Sequence, residues 1–228
     1  RAGGFSNINV DLMSSLPGQH TATYADSLQK VCRLKPEHIS AYSLIIEEGT
    51  PFARKKLILP TEDEEYQMYE DTAEILRKYG FHQYEISNYA RNGFECRHNK
   101  GYWQRTEYLG VGLGAASLFR GQRFSNTSDM KVYLSDSTDP EKIREDVTTL
   151  SGSNEMEEFM FLGLRMTEGI SERQFERNFG YRIEDIYGSV LTKYKDMDLL
   201  EHAGEFWRFT RNGIHVSNPV LADFLLDE

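Results

Sequence analysis

The strongest constraint on the fold is an alternation of short apolar runs with amphipathic segments over about the first ninety residues. Residues 8–13 (Ile8, Asn9, Val10, Asp11, Leu12, Met13) read as a strand, ended by the turn formers Ser14, Ser15, Pro17 and Gly18. Residues 23–34 put Ala25, Leu28, Val31 and Cys32 on one helical face, and Pro36 stops that segment. Residues 38–46 form a second buried-strand run, closed by Glu47, Glu48, Gly49, Thr50 and Pro51. Thr61 with Glu64 three residues on is a capping box, which predicts a helix from 62 to about 79, ended by Gly80. A third strand is predicted over residues 82–88. Strand, helix, strand, helix, strand is the order of parallel βαβ units, whose strands need cover on both faces and neighbours on both sides. Three such strands leave an open edge, so the pattern predicts part of a larger sheet or barrel. Pairing with a second copy as a homodimer would hide that edge. The start at Arg1-Ala2-Gly3-Gly4-Phe5, without Met and directly before a strand, reads as a truncation.

Beyond residue 92 the pattern becomes irregular, rich in Gly, aromatics and turn residues up to about 146, with a loop at 136–140. A second pattern starts near Ser151. Ser153 or Asn154 caps a helix through Phe159, Leu162 and Leu164; Ser171 caps a short one carrying Phe175 and Phe179; a third covers 183–200. A hairpin is predicted with strands at 207–209 and 214–216 around Asn212-Gly213, then a last helix over 218–226. The expectation is two domains, 1–150 and 151–228, the second small, helical and winged-helix-like. A nucleic-acid role for it has the wrong sign of charge. Residues 151–228 hold 8 Lys/Arg against 15 Asp/Glu, and the chain as a whole carries −10. No run approaches the ~20 apolar residues of a membrane span. The two cysteines, Cys32 and Cys96, are too few for a disulfide framework or an iron–sulfur cluster, and a reducing, cytoplasmic location fits them. Cys32 reads as core packing.

Five stretches could carry chemistry. Asp11, near the C-terminal end of its strand, either points into a ligand mouth or fixes the following turn. Tyr42 and Leu44, at the end of the second strand, either flank a flat adenine ring or pack in the core. Glu85 and Asn88 end the third strand, where a lone carboxylate specifies no reaction. Glu95-Cys96-Arg97-His98-Asn99-Lys100-Gly101-Tyr102-Trp103 concentrates two haem-iron ligand types, an Arg and two aromatics in what reads as a loop; a structural His and Cys under an aromatic lid is the competing reading. Gly110-Val111-Gly112-Leu113-Gly114-Ala115-Ala116 superficially fits a dinucleotide fingerprint, but Leu118-Phe119-Arg120-Gly121 reads as strand and turn instead of the required helix. A close backbone approach is the expected reason for these glycines.

Together these segments resemble one family, the oxygen-independent coproporphyrinogen III oxidase-like (HemN-like) radical SAM proteins. The resemblance rests on Asn9-x-Asp11-Leu12-Met13-x-x-Leu16-Pro17-Gly18-Gln19, on Glu37-His38-Ile39-Ser40-Ala41-Tyr42-Ser43-Leu44 and on Tyr84-Glu85-Ile86-Ser87-Asn88-Tyr89-Ala90. His98-Asn99-x-x-Tyr102-Trp103 is similar to the haem motif of its HemW-like branch, and the tail from Gly163 to Asn218 resembles the family's C-terminal domain. The resemblance implies an α/β fold: the C-terminal half of a partial (β/α)6 radical SAM barrel plus the small winged-helix-like domain. It implies S-adenosylmethionine lined by Asp11 and Met13, with Tyr42 and Leu44 near its adenosine. His98, Asn99, Tyr102 and Trp103 would belong to the haem motif. It also implies a [4Fe-4S] cluster, whose CxxxCxxC ligands this sequence lacks. The implied function is that of a haem chaperone passing haem to an acceptor protein; the alternative is oxidative decarboxylation of coproporphyrinogen III. One departure is Ala116, which stands where the family's glycine-rich strand usually carries a His, so no role of that His transfers.

Overall fold

A computed structural model describes residues 1–136 and 138–226. The chain divides into two compact units, Arg1–Cys96 and Arg97–Glu228.

The first unit holds β1 (Asn9–Ser14), α1 (Thr21–Arg33), β2 (His38–Ser43), α2 (Glu62–Lys78), β3 (His82–Glu85) and β4 (Asn88–Ala90). Its sheet has the order β1-β2-β4-β3. The first βαβ unit follows the predicted pattern: β1 and β2 run parallel, with Asp11 opposite Ser40 and Met13 opposite Tyr42. α2 starts at the predicted capping box, where Glu64 N–H donates to Thr61 Oγ1 at 3.3 Å and Thr61 N–H to Glu64 Oε2 at 2.9 Å. Alternation along the strands sends Leu12, Ile39 and Ala41 into a core with Tyr24, Leu28 and Cys32 of α1 and Met68 and Leu76 of α2. Cys32 is core packing, as its position on the apolar face implied. The predicted third strand is corrected. Residues 82–88 are two strands, not one, folded back at Ile86 and Ser87, and β4 runs antiparallel to both β2 and β3. The Glu85 carboxylate makes that reversal, accepting from Ser87 N–H at 2.8 Å and Asn88 Nδ2 at 2.5 Å.

The second unit opens with α3 (Arg97–Trp103), so the motif-bearing stretch is a helix, not the loop expected from its polar residues and Gly101. The region taken as irregular holds an antiparallel sheet: β5 (Ala116–Phe119), β6 (Gln122–Asn126) and, after the short helices α4 (Met130–Asp136) and α5 (Pro140–Ile143), β7 (Arg144–Thr149). The predicted loop 136–140 includes Ser137, which lies outside the described residues.

Then follow α6 (Gly152–Gly163), β8 (Ile170–Ser171), α7 (Glu172–Phe179), α8 (Ile183–Asp196), β9 (Leu200–Ala203), β10 (Phe206–Phe209), α9 (Arg211–His215) and α10 (Ser217–Ala222). The cap of α6 is Ser151, whose Oγ accepts from Asn154 N–H at 3.1 Å, not Ser153 or Asn154. Ser171 caps α7 as expected. Three helices followed by a hairpin are present, but the hairpin is β9–β10 turning at Gly204, and residues 211–215, expected to turn and enter a strand, are helical. Gly213 serves packing rather than a turn, because a Cβ there would stand 1.9 Å from the Leu199 carbonyl oxygen. The terminal helix α10 is shorter than the predicted 218–226. Phe159, Phe175, Phe179, Tyr187 and Phe224 meet through edge-to-face and tilted contacts in the core of this half.

Candidate functional site

α3 is short because Gly101 lies inside it and Arg105, two residues past its end, takes a left-handed φ of 54°. Its i, i+4 spacing puts His98 and Tyr102 on one face, with ring centroids 4.5 Å apart at 71°. Tyr102 meets Tyr108 edge-on at 4.6 Å, and Tyr108 is tied to Leu118 of β5 by reciprocal backbone hydrogen bonds of 2.8 and 3.0 Å. Trp103 carries the Arg165 guanidinium over its ring at 4.4 Å. Its indole N–H is buried and has no hydrogen-bond partner among the described residues.

These side chains wall a groove of about 640 Å3, within the ~300–1,000 Å3 usual for small-molecule sites. His98, Tyr102 and Trp103 form one wall, and Leu109, Val111 and Leu162 add apolar surface. Val111, 90% exposed, and Leu109 give the rim of the groove an apolar surface. Gly110 is required by a close approach: a Cβ there would meet the Ala116 carbonyl oxygen at 2.2 Å. The close backbone approach expected of these glycines holds at Gly110 alone; Gly112 and Gly114 face open space and take positive φ of 113° and 66°, and β5 follows in place of a helix. Ala116 also lines the groove.

Arg123 lines the groove as well and is held from behind by Glu158, which is 6% exposed and also accepts from Arg105 Nε at 3.0 Å. The Glu158 carboxylate raises the already high Arg123 pKa. One buried carboxylate between two guanidinium groups fixes the loop after α3 against α6. Asn99 shares α3 with the other motif residues but does not line the groove. His98 makes its ring contact with Tyr102 and no described hydrogen bond, which leaves its imidazole nitrogens available to a ligand. A flat, largely apolar molecule carrying a metal that accepts an imidazole matches these walls.

The other sequence-predicted set lies in the first unit. Asp11 and Met13 share one face of β1, Asp11 exposed and Met13 half-buried; Tyr42, opposite Met13, is 39% exposed. Leu44 follows β2, its N–H donating to the Ser14 carbonyl at 3.0 Å. Glu85 and Asn88 are buried at the β3–β4 reversal and are structural. The groove residues Tyr108, Leu109, Val111, Leu162 and Arg123 carried no sequence signal of their own, apart from the glycines beside them. Cys32 is buried, its thiol pushed up to about 11 by desolvation, and Cys96 is only half-buried. Among the described residues no group of three His, Cys, Asp or Glu side chains is arranged to hold a metal ion. No helix among them is long and apolar enough to cross a membrane.

Comparison with known proteins gives concordant results. Residues 150–216 match the HemN C-terminal domain. The chain is 38% identical to the heme chaperone HemW of Lactococcus lactis subsp. lactis, over 99% of this chain and 60% of that protein. It is 36% identical to the heme chaperone HemW of Bacillus subtilis, over 97% of this chain and 60% of the relative. The solved structure of Escherichia coli coproporphyrinogen III oxidase (HemN), a radical SAM enzyme, superposes with a TM-score of 0.80 at 17% identity, over 98% of this chain and 56% of that one. At that identity the likeness shows the fold alone, and the fold is the expected α/β arrangement. The chain spans about three-fifths of the length of the curated relatives it matches.

Proposed function

The chain belongs to the HemW-like branch of the HemN-like radical SAM family, and from that premise we propose that it carries the haem-handling part of a haem chaperone. The observation that supports this best is the groove walled by His98, Tyr102 and Trp103, with solvent-facing Val111 and Leu109 at its rim. Haem is cargo in this proposal: the aromatic and apolar walls shelter the porphyrin, His98 offers an axial nitrogen, and the exposed rim lets the cargo leave toward an acceptor protein. Asn99, off the groove wall, would support α3 rather than touch the porphyrin.

S-adenosylmethionine is assigned to the first unit, with Asp11 and Met13 at the strand end and the exposed Tyr42 ring and Leu44 near its adenosine. The residues present do not fit a [4Fe-4S] cluster. One of the two cysteines is buried with a raised pKa, and two thiolates fall short of the usual set. No radical step is therefore assigned to this chain. Both cysteines are free thiols, which suits a reducing cytoplasm.

A haem titration followed by absorbance tests the proposal, run on the wild type and on His98→Ala. A saturable Soret shift is expected in the wild type, with affinity reduced at least about tenfold in the variant, the scale of one lost strong interaction. Equal affinity in two folded proteins would remove His98 from the site. No binding by either would remove the groove as a haem site.

A further inference from the structure

Asn9, Asp11, His38 and Tyr84 form a hydrogen-bonded chain on the face of the first sheet opposite the one packed on α1 and α2. The Cys96 N–H, which can only donate, reaches the Tyr84 hydroxyl oxygen at 3.3 Å. That hydroxyl is 2.8 Å from His38 Nε2. His38 Nδ1 lies 2.7 Å from Asn9 Oδ1, and Asn9 Nδ2 donates to Asp11 Oδ1 at 2.6 Å. The donor inventory fixes the direction. Asn9 turns its amide nitrogen to the carboxylate, so its oxygen faces His38 and accepts. His38 then carries its proton on Nδ1, which leaves Nε2 to accept from Tyr84. His38 and Tyr84 are each 5% exposed, so water does not readily replace either partner. Burial favours the neutral imidazole; Asp11 and Glu95 pull the other way, and Glu95 is itself engaged by His82 at 2.9 Å.

We propose that His38 is a positioning residue: through Asn9 it holds the Asp11 carboxylate in one orientation for the ligand that Asp11 contacts. This rests on the assignment of Asp11 to S-adenosylmethionine. Asp11 is exposed and would otherwise sample several rotamers. With Oδ1 occupied by Asn9, Oδ2 is presented to a ligand hydroxyl or amine in a fixed direction. The chain of bonds is legible only in three dimensions, since its members lie on three strands.

The test is calorimetric titration of S-adenosylmethionine into the wild type, Asp11→Asn, His38→Ala and Tyr84→Phe, each checked for fold by circular dichroism. It is paired with nitrogen-15 spectra of the His38 ring. Affinity is expected to fall about tenfold in His38→Ala, as for one charge-assisted hydrogen bond lost at the ligand, and by less in Tyr84→Phe. The wild-type ring is expected as the neutral Nδ1–H tautomer, shifting toward a mixture in Tyr84→Phe. An Nε2–H tautomer in the wild type, or unchanged affinity in a folded His38→Ala, would overturn the positioning role. Unchanged affinity in Asp11→Asn is a different failure, since it removes the ligand assignment on which the role depends. If His38→Ala does not fold, the wild-type tautomer and Tyr84→Phe still decide.

Discussion

Cys96 and Cys32 sit in surroundings that differ in ways that reach measurable chemistry. Cys96 is half-buried, whereas Cys32 lies in the first core with its thiol pushed up to about 11 by burial. The thiolate is the reactive form, so a maleimide or disulfide reagent at pH 7.5 is expected to label Cys96 in the native chain and Cys32 only on unfolding. Equal labelling rates would show that the core around α1 opens readily. His38 gives a second residue-level expectation. Its folded pKa lies below the ordinary histidine value because burial disfavours the cation. Below that ordinary value the unfolded chain binds a proton that the native His38 declines, so its contribution to stability is intact above pH ~6.5 and is lost as pH falls through the depressed native value. The denaturant midpoint should therefore drop between pH 7 and 5 more steeply in the wild type than in His38→Gln. A matching slope in both proteins would contradict the assignment.

At the scale of elements, Glu158 of α6 joins Arg105, just past α3, to Arg123 of β6. Removing the carboxylate leaves Arg105 with Glu155 at 3.5 Å and a partly solvated Arg123, so the loss stays below the ~3–5 kcal/mol of a fully buried pair broken on one side. Glu158→Ala is expected to destabilise by about 1–3 kcal/mol in chemical denaturation and to weaken haem binding, because Arg123 and α3 wall the groove. Normal haem affinity in a destabilised but folded Glu158→Ala would separate the ion pairs from the groove. The elements legible in the sequence were those with two agreeing signals. α2 has a capping box at its start and Gly80 at its end, and β1 and β2 are apolar runs bounded by turn residues. The β3–β4 reversal was hidden because Ile86 is no turn former and no Gly or Pro marks the spot; Glu85 supplies the turn from its side chain. The wing was misplaced because Asn212-Gly213 imitates a tight turn, while Gly213 is there for the Leu199 carbonyl. α3 reads as a loop in the sequence because His98, Asn99 and Gly101 are poor helix formers.

At the scale of the molecule, the two candidate sites fall in different compact units, Asp11 and Tyr42 in the first and the haem-motif helix in the second. Residue types left both candidate sites open and the family resemblance pointed to them, but only the folded chain added Tyr108, Leu162 and Arg123 to one of them and His38 and Tyr84 to the other. These partners come from distant segments, and no local pattern marks them. The measurement that bears most directly on the haem assignment is an amide NMR titration with paramagnetic haem, which broadens signals near the iron. Broadening is expected to centre on His98, Tyr102 and residues 108–111. Broadening centred on Asp11 and Tyr42, or spread evenly over the chain, would contradict a haem site in the groove.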